Sequence, residues 1–143
     1  MCSSDLILKP YHGIRLFLND GKDNFKESWF YPMPGAFQFK AVDFDKDGDL
    51  DIAALSFFPD FKKYPERGFI YFENINGVYQ PKTISQAKSG RWLVMEVADM
   101  NKDGFQDIIL AALNFTSGVP KELVSEWARK PIDLLILESE RKK

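Results

Sequence analysis

Short runs of alternating apolar and polar residues recur along the chain, each closed by residues that favour turns. Residues 13–19 place Ile14, Leu16 and Leu18 on one face, and Asn19-Asp20-Gly21 follows as a turn signal. Residues 25–31 predict a second, aromatic-rich strand stopped by Pro32 and Pro34. In 37–42, Phe37, Phe39 and Ala41 alternate with Gln38, Lys40 and Val42. Further strands are predicted over 52–58, 69–74, 79–84, 91–98, 108–114 and 132–138, with Asn76-Gly77 marking a tight hairpin. Residues 59–67 and 85–90 read as connections, and 139–143 as a charged tail. One segment departs from this period. Residues 120–129 predict a short helix with Pro120 in its first turn, and Leu123, Val124 and Trp127 share a face expected to pack on the parent core.

Two acidic stretches punctuate this pattern: Asp43-Phe-Asp-Lys-Asp-Gly-Asp-Leu-Asp51 and Asp99-Met-Asn-Lys-Asp-Gly-Phe-Gln-Asp107, 56 residues apart. Both fit D-x-[DN]-x-D-G-x-x-D. Calcium is a hard cation taking six to eight oxygen ligands in flexible geometry, and oxygens at alternate positions of a tight loop can converge on it. Positions one, three and five are Asp43, Asp45 and Asp47 in one copy, and Asp99, Asn101 and Asp103 in the other. Gly48 and Gly104 at position six permit a sharp turn. Position seven, Asp49 or Phe105, can offer its backbone carbonyl, and position nine is Asp51 or Asp107. An acidic solvent-exposed turn is the plain alternative for one such stretch. Two matching copies favour metal over it, and calcium over magnesium, which keeps more of its waters. An EF-hand would need Glu at position twelve and flanking helices. Ala54 and Leu110 stand there, and strand-like runs follow, so that motif is excluded.

The flanks repeat as well. Gly13-Ile-Arg-Leu-Phe-Leu-Asn19 aligns with Gly68-Phe-Ile-Tyr-Phe-Glu-Asn74, and 134–139 aligns with 69–74. The repeating unit is a strand, the acidic loop, a second strand, a connection, a third strand, a hairpin turn and a fourth strand. Four-stranded antiparallel units at such a period describe β-propeller blades. The fold class is therefore all-β, with about two and a half four-stranded antiparallel blades of an incomplete propeller. The boundaries are 1–12 leader, 13–34 end of one blade, 35–90 a complete blade and 91–138 a final partial blade.

Residues 39–54 and 97–109, with Phe17-Leu-Asn-Asp-Gly21 and Phe25 resembling a hairpin between third and fourth strands, are similar to the FG-GAP/VCBS repeat family of calcium-binding propellers. The resemblance implies two Ca²⁺ sites, ligated by Asp43, Asp45, Asp47, Asp49 and Asp51, and by Asp99, Asn101, Asp103, Phe105 and Asp107. It also implies an exported or cell-surface protein that engages a protein or carbohydrate. No catalytic constellation stands apart from the loops, so a non-enzymatic module is expected, and because propellers have ~4–8 blades, further N-terminal blades are expected in the parent chain. The alternative is the propeller part of a secreted polysaccharide-active enzyme, since fold alone does not decide activity.

Composition fits this reading. The chain has 143 residues, 45% of them hydrophobic, which suits one modest domain with a core. Net charge is −2, so no nucleic-acid footprint is expected, and the two loops hold eight of the 21 acids. No apolar run reaches the ~18–20 residues of a membrane span, and no signal peptide is visible. Met1-Cys-Ser-Ser-Asp-Leu6 reads as a translated adaptor end, which would make Cys2 an artefact and place any targeting segment upstream. His12, the single histidine, lies in a Pro-Tyr-His-Gly turn, where a surface role is expected over a catalytic one. The pair Asp43 and Asp51 would suit a glycosidase only if metal did not explain their spacing better.

Overall fold

The structure is a computed structural model that describes residues 11–140. Nine strands are present among those residues: β1 (Gly13–Asn19), β2 (Phe25–Pro32), β3 (Ala36–Val42), β4 (Asp51–Ser56), β5 (Phe69–Ile75), β6 (Val78–Lys82), β7 (Trp92–Ala98), β8 (Asp107–Ala112) and β9 (Leu134–Leu137). One α-helix, α1 (Lys121–Arg129), lies between β8 and β9. The strands form antiparallel sheets ordered β1-β2, β3-β4-β5-β6 and β7-β8-β9, and these do not close into a ring. The fold is thus all-β and matches an incomplete propeller, with two strands of one unit, four of the next and three of another. The leader reading of 1–10, with Cys2, and the last three residues of the charged tail lie outside the described residues.

Turn chemistry fixes the hairpins. Asn76 and Gly77 both take left-handed backbone, φ 52° and 85°, as a two-residue loop matched to strand twist requires. The Asn74 side-chain oxygen accepts from Gly77 N at 2.8 Å and holds that turn. Between β1 and β2, the Asn24 side chain and the backbone of Lys22 and Asn24 donate to the Asp20 carboxylate. Those bonds, the Asn24 side chain's foremost, hold the Asp20 carboxyl below its ordinary range.

Strand β4 lies between two cores, and all six of its residues are buried. Ile52 and Ala54 face Met33, Ile70 and Phe72, with Trp29 and Tyr31 of β2 packed over them. Ala53 and Leu55 face Phe69, Trp92, Met95, Ile108 and Leu110. The alanines let neighbouring sheets approach this strand from both sides, at the close packing interiors require. Trp92 is fully buried and satisfies its indole by donating to Ala87 O at 2.7 Å.

Several boundaries differ from the sequence expectation. The last strand is Leu134–Leu137 rather than 132–138, although Ala112 N still donates to Asp133 O at 2.8 Å just before it. The connections contain 3-10 turns at Pro65–Gly68 and Ser85–Ser89. Strand β6 starts at Val78 and contains Pro81, which is tolerated because β6 is the outer edge of its sheet. Pro120 caps α1 rather than entering its first turn. The helix packs on the body of the protein: Trp127 Nε1 donates to Lys88 O at 2.7 Å and its ring lies edge-on to Phe61.

The alternation of β3 is inverted relative to its hydrophobicity. Phe37 and Phe39 are 49% and 62% exposed. Gln38, on the opposite face, brackets the β7 backbone, donating to Met95 O at 3.0 Å and accepting from Met95 N at 2.9 Å. Lys40 pairs with Glu96 at 2.9 Å beside it. In the ladder Phe39 lies opposite Ala54 and so shares the face that β2 covers, but within β3 it is Ala36, not Phe39, that packs into that core.

Arg91, 1% exposed, places its guanidinium about 5 Å from the rings of Phe57, Phe58, Phe61 and Phe115. Its Nη2 donates to Ser117 O at 2.6 Å, while Nε and Nη1 have no hydrogen-bond acceptor among the described residues. The aromatic faces offset part of the desolvation of the charge, and burial still pulls the guanidinium pKa down.

Candidate metal centre

Each acidic loop closes a hairpin of its sheet. Val42 pairs with Asp51 across the first, and Ala98 with Asp107 across the second. Within both, position six is left-handed glycine, Gly48 at φ 100° and Gly104 at φ 88°. Position four is left-handed too, although it is lysine: Lys46 at φ 59° and Lys102 at φ 62°. Side-chain acceptors from within the loop hold this backbone. Asp47 N donates to Asp43 Oδ1 and Asp45 Oδ1 at 3.2 and 3.3 Å, and Gly48 N to Asp43 Oδ2 at 3.1 Å. In the second loop Asp103 N donates to Asp99 Oδ1 and Asn101 Oδ1 at 3.1 and 3.0 Å, and Gly104 N to Asp99 Oδ2 at 2.9 Å. Position seven repeats the match: Asp49 N and Phe105 N donate to Asp47 Oδ1 and Asp103 Oδ1. Two stretches of different sequence therefore share one hydrogen-bond framework, position by position.

This framework gathers oxygen. Asp43, Asp45 and Asp47 each bring a carboxylate oxygen within 4.8 Å of the others. Three like charges so close repel one another, and a hard cation relieves that repulsion. The donor set, all oxygen and partly open to solvent, fits calcium chemistry. In the second loop Asn101 replaces the central carboxylate, and its amide donates to Asp103 Oδ2 at 3.0 Å. Asp49 and Phe105 stand at position seven with their N–H groups bound back into the loop.

The position-nine carboxylates, expected among the oxygen donors, sit beneath the loops. Asp51 and Asp107 are both 0% exposed. Asp51 accepts from Phe44 N at 3.2 Å, Asn74 N at 2.8 Å and the Tyr71 hydroxyl at 2.6 Å. Asp107 accepts from Met100 N at 2.8 Å and Ser139 N at 3.0 Å. Each thus pins its loop to the end of the sheet's third strand. The side chains of Asn74 and Ser139 complete the tie by donating to Leu50 O and Gln106 O. Sequence reasoning missed Asn74 and Ser139. Their shared alignment position was visible, but one is an amide and the other a hydroxyl. Burial, then the Asp51 hydrogen bond, pushes the Tyr71 hydroxyl pKa well above the ordinary tyrosine range.

The loops also meet each other. Lys46 Nζ lies 4.5 Å from the centre of the Phe105 ring. A Cβ added at Gly104 would come 3.0 Å from that ammonium.

His12, by contrast, is placed in a structural turn: its carbonyl accepts from Met33 N at 3.0 Å, and its ring stands edge-on to Tyr11.

Residues 3–54 match the family model of the FG-GAP-like repeat, a span that includes β1, β2, β3 and the whole first loop. Residues 3–54 carry an FG-GAP-like repeat. The match begins inside the segment read as a leader and ends in β4. The second loop lies beyond it and is tied to the repeat by the hydrogen-bond pattern it shares with the first. No curated protein and no solved structure matches the chain.

Proposed function

We propose that this chain is a calcium-stabilised propeller module that binds a protein or carbohydrate outside the cell and has no catalytic role of its own. The observation that carries the calcium reading is the convergence of Asp43, Asp45 and Asp47 oxygens within 4.8 Å, on a loop framework that recurs in the second unit. Asp43, Asp45 and Asp47 would hold one ion, and Asp99, Asn101 and Asp103 the other, with the carbonyls of Asp49 and Phe105 as further donors. Asp51 and Asp107 brace the two sites from below. The ion would neutralise the carboxylates and lock each hairpin in place. Extracellular modules use calcium sites with Kd of ~10⁻⁴–10⁻³ M, and small open loops of this kind suit that range. Thermal unfolding in chelator and in millimolar calcium tests the reading. The melting temperature should rise with calcium in the unsubstituted chain, and less in Asp47→Ala and Asp103→Ala. An unchanged melting temperature in the unsubstituted chain refutes it.

A further inference from the structure

We infer that Lys46 of the first loop sets the calcium affinity of the second, so that one unit's loop supplies a fixed positive charge to the next unit's site. The inference rests on the calcium reading above. Lys46 belongs by sequence to the first loop, at position four between Asp45 and Asp47. Its ammonium is delivered elsewhere, over the Phe105 ring at 4.5 Å and against Gly104. These are positions seven and six of the second loop, 56 residues on from their counterparts in the first. Gly104 N is itself bonded to Asp99 Oδ2, and Phe105 N to Asp103 Oδ1. The lysine therefore stands beside the backbone that links two of the second loop's carboxylates.

Two effects of this placement compete. The cation–π contact pins Phe105, whose carbonyl is a candidate donor, and pinning would favour binding. A contact between Lys46 and Phe105 involves no ion, so it contributes alike to the bound and the free loop. The charge does separate them, because it opposes an arriving divalent cation and not an empty loop. In water, a monovalent charge inside the screening length of a divalent one weakens its binding several-fold. Repulsion wins, and Lys46 lowers the second loop's affinity. Gly104 contributes space: a side chain there would meet the ammonium, so the glycine serves the cross-loop contact as well as the turn.

The test is calcium titration calorimetry on the full chain in an Asp47→Ala background, where the second loop alone should bind; Asp45→Ala is the alternative background. Lys46→Met removes the charge and keeps the stem, and Lys46→Glu reverses the charge. At low salt, Lys46→Met should tighten calcium binding at the second loop several-fold, and Lys46→Glu more. Between about 0.01 M and about 1 M ionic strength the screening length falls from about 30 Å to about 3 Å, so the differences should collapse. A structural role for Lys46 would give no such salt dependence. Calcium binding with equal second-loop affinity in all three proteins, or with a gap that salt does not change, overturns the inference and leaves the calcium reading intact. No calcium binding in any of them, the unsubstituted chain included, overturns both.

Discussion

Replacing Asp51 with alanine should destabilise the protein whether or not calcium is present. The carboxylate is fully buried and collects three donors: the N–H groups of Phe44 and Asn74 and the hydroxyl of Tyr71. Alanine leaves both N–H groups buried without an acceptor, at about 1–3 kcal/mol each, while the tyrosine hydroxyl can turn towards solvent at smaller cost. The expected loss is about 3–5 kcal/mol, a large share of the ~5–15 kcal/mol typical of a domain. Asp51→Asn keeps one acceptor oxygen and should lose about half as much. Tyr71→Phe removes a single hydrogen bond and should cost about 1–2 kcal/mol. Urea unfolding in excess chelator, followed by the fluorescence of Trp29, Trp92 and Trp127, measures all three without metal. Asp47→Ala, at an exposed loop position, should lose little under the same conditions. If Asp51→Ala lost less than about 1 kcal/mol in chelator, with an unchanged denaturant slope, the bracing role of position nine would be wrong.

Other outcomes follow from the same geometry. Alkaline stability should depend on Tyr71: its pKa is raised in the fold, so its contribution is complete below the unfolded value of 10.0 and is lost as pH rises beyond it. Urea unfolding against pH should therefore show the unsubstituted chain losing more stability above that pH than Tyr71→Phe, and parallel curves would count against the burial of that hydroxyl. Trp92→Ala should cost about 3–5 kcal/mol, because the ring fills the core between the second and third sheets and its indole is bonded to Ala87; equilibrium unfolding checks it. The chain should self-associate through exposed apolar surface such as Phe37 and Phe39, and replacing both with serine should reduce light scattering at equal concentration. Scattering that stays monomeric in the unsubstituted chain would contradict this.

Much of the fold was legible because its signals are local. The Asn76-Gly77 turn, the glycine at position six and the period of two each determine structure within a few residues, and the recurrence of the unit then orders the sheets. What escaped depends on neighbours distant in sequence. Nothing in 37–42 shows that Gln38 rather than Phe39 faces a neighbouring strand, because the partner is Met95 in the next unit. The left-handed lysines at position four were hidden because their backbone is held by side chains specific to the loop and not by glycine. Arg91 reads as an ordinary surface cation until Phe57, Phe58, Phe61 and Phe115 are brought around it from two connections. Among the site residues, the sequence pattern identified the converging carboxylates, whereas the bracing partners Asn74 and Ser139 lie 23 and 32 residues beyond the aspartates they hold.

Calcium titration calorimetry on the unsubstituted chain, stripped with chelator and dialysed, tests the central claim most directly. Two binding events should appear, the tighter at the first loop, where positions one, three and five are all carboxylates, and the weaker at the second, where Asn101 replaces one of them. Asp47→Ala should remove the tighter event and leave the weaker in place. No calcium heat at millimolar concentrations, or two events unaffected by Asp47→Ala, would contradict the assignment of these loops as calcium sites.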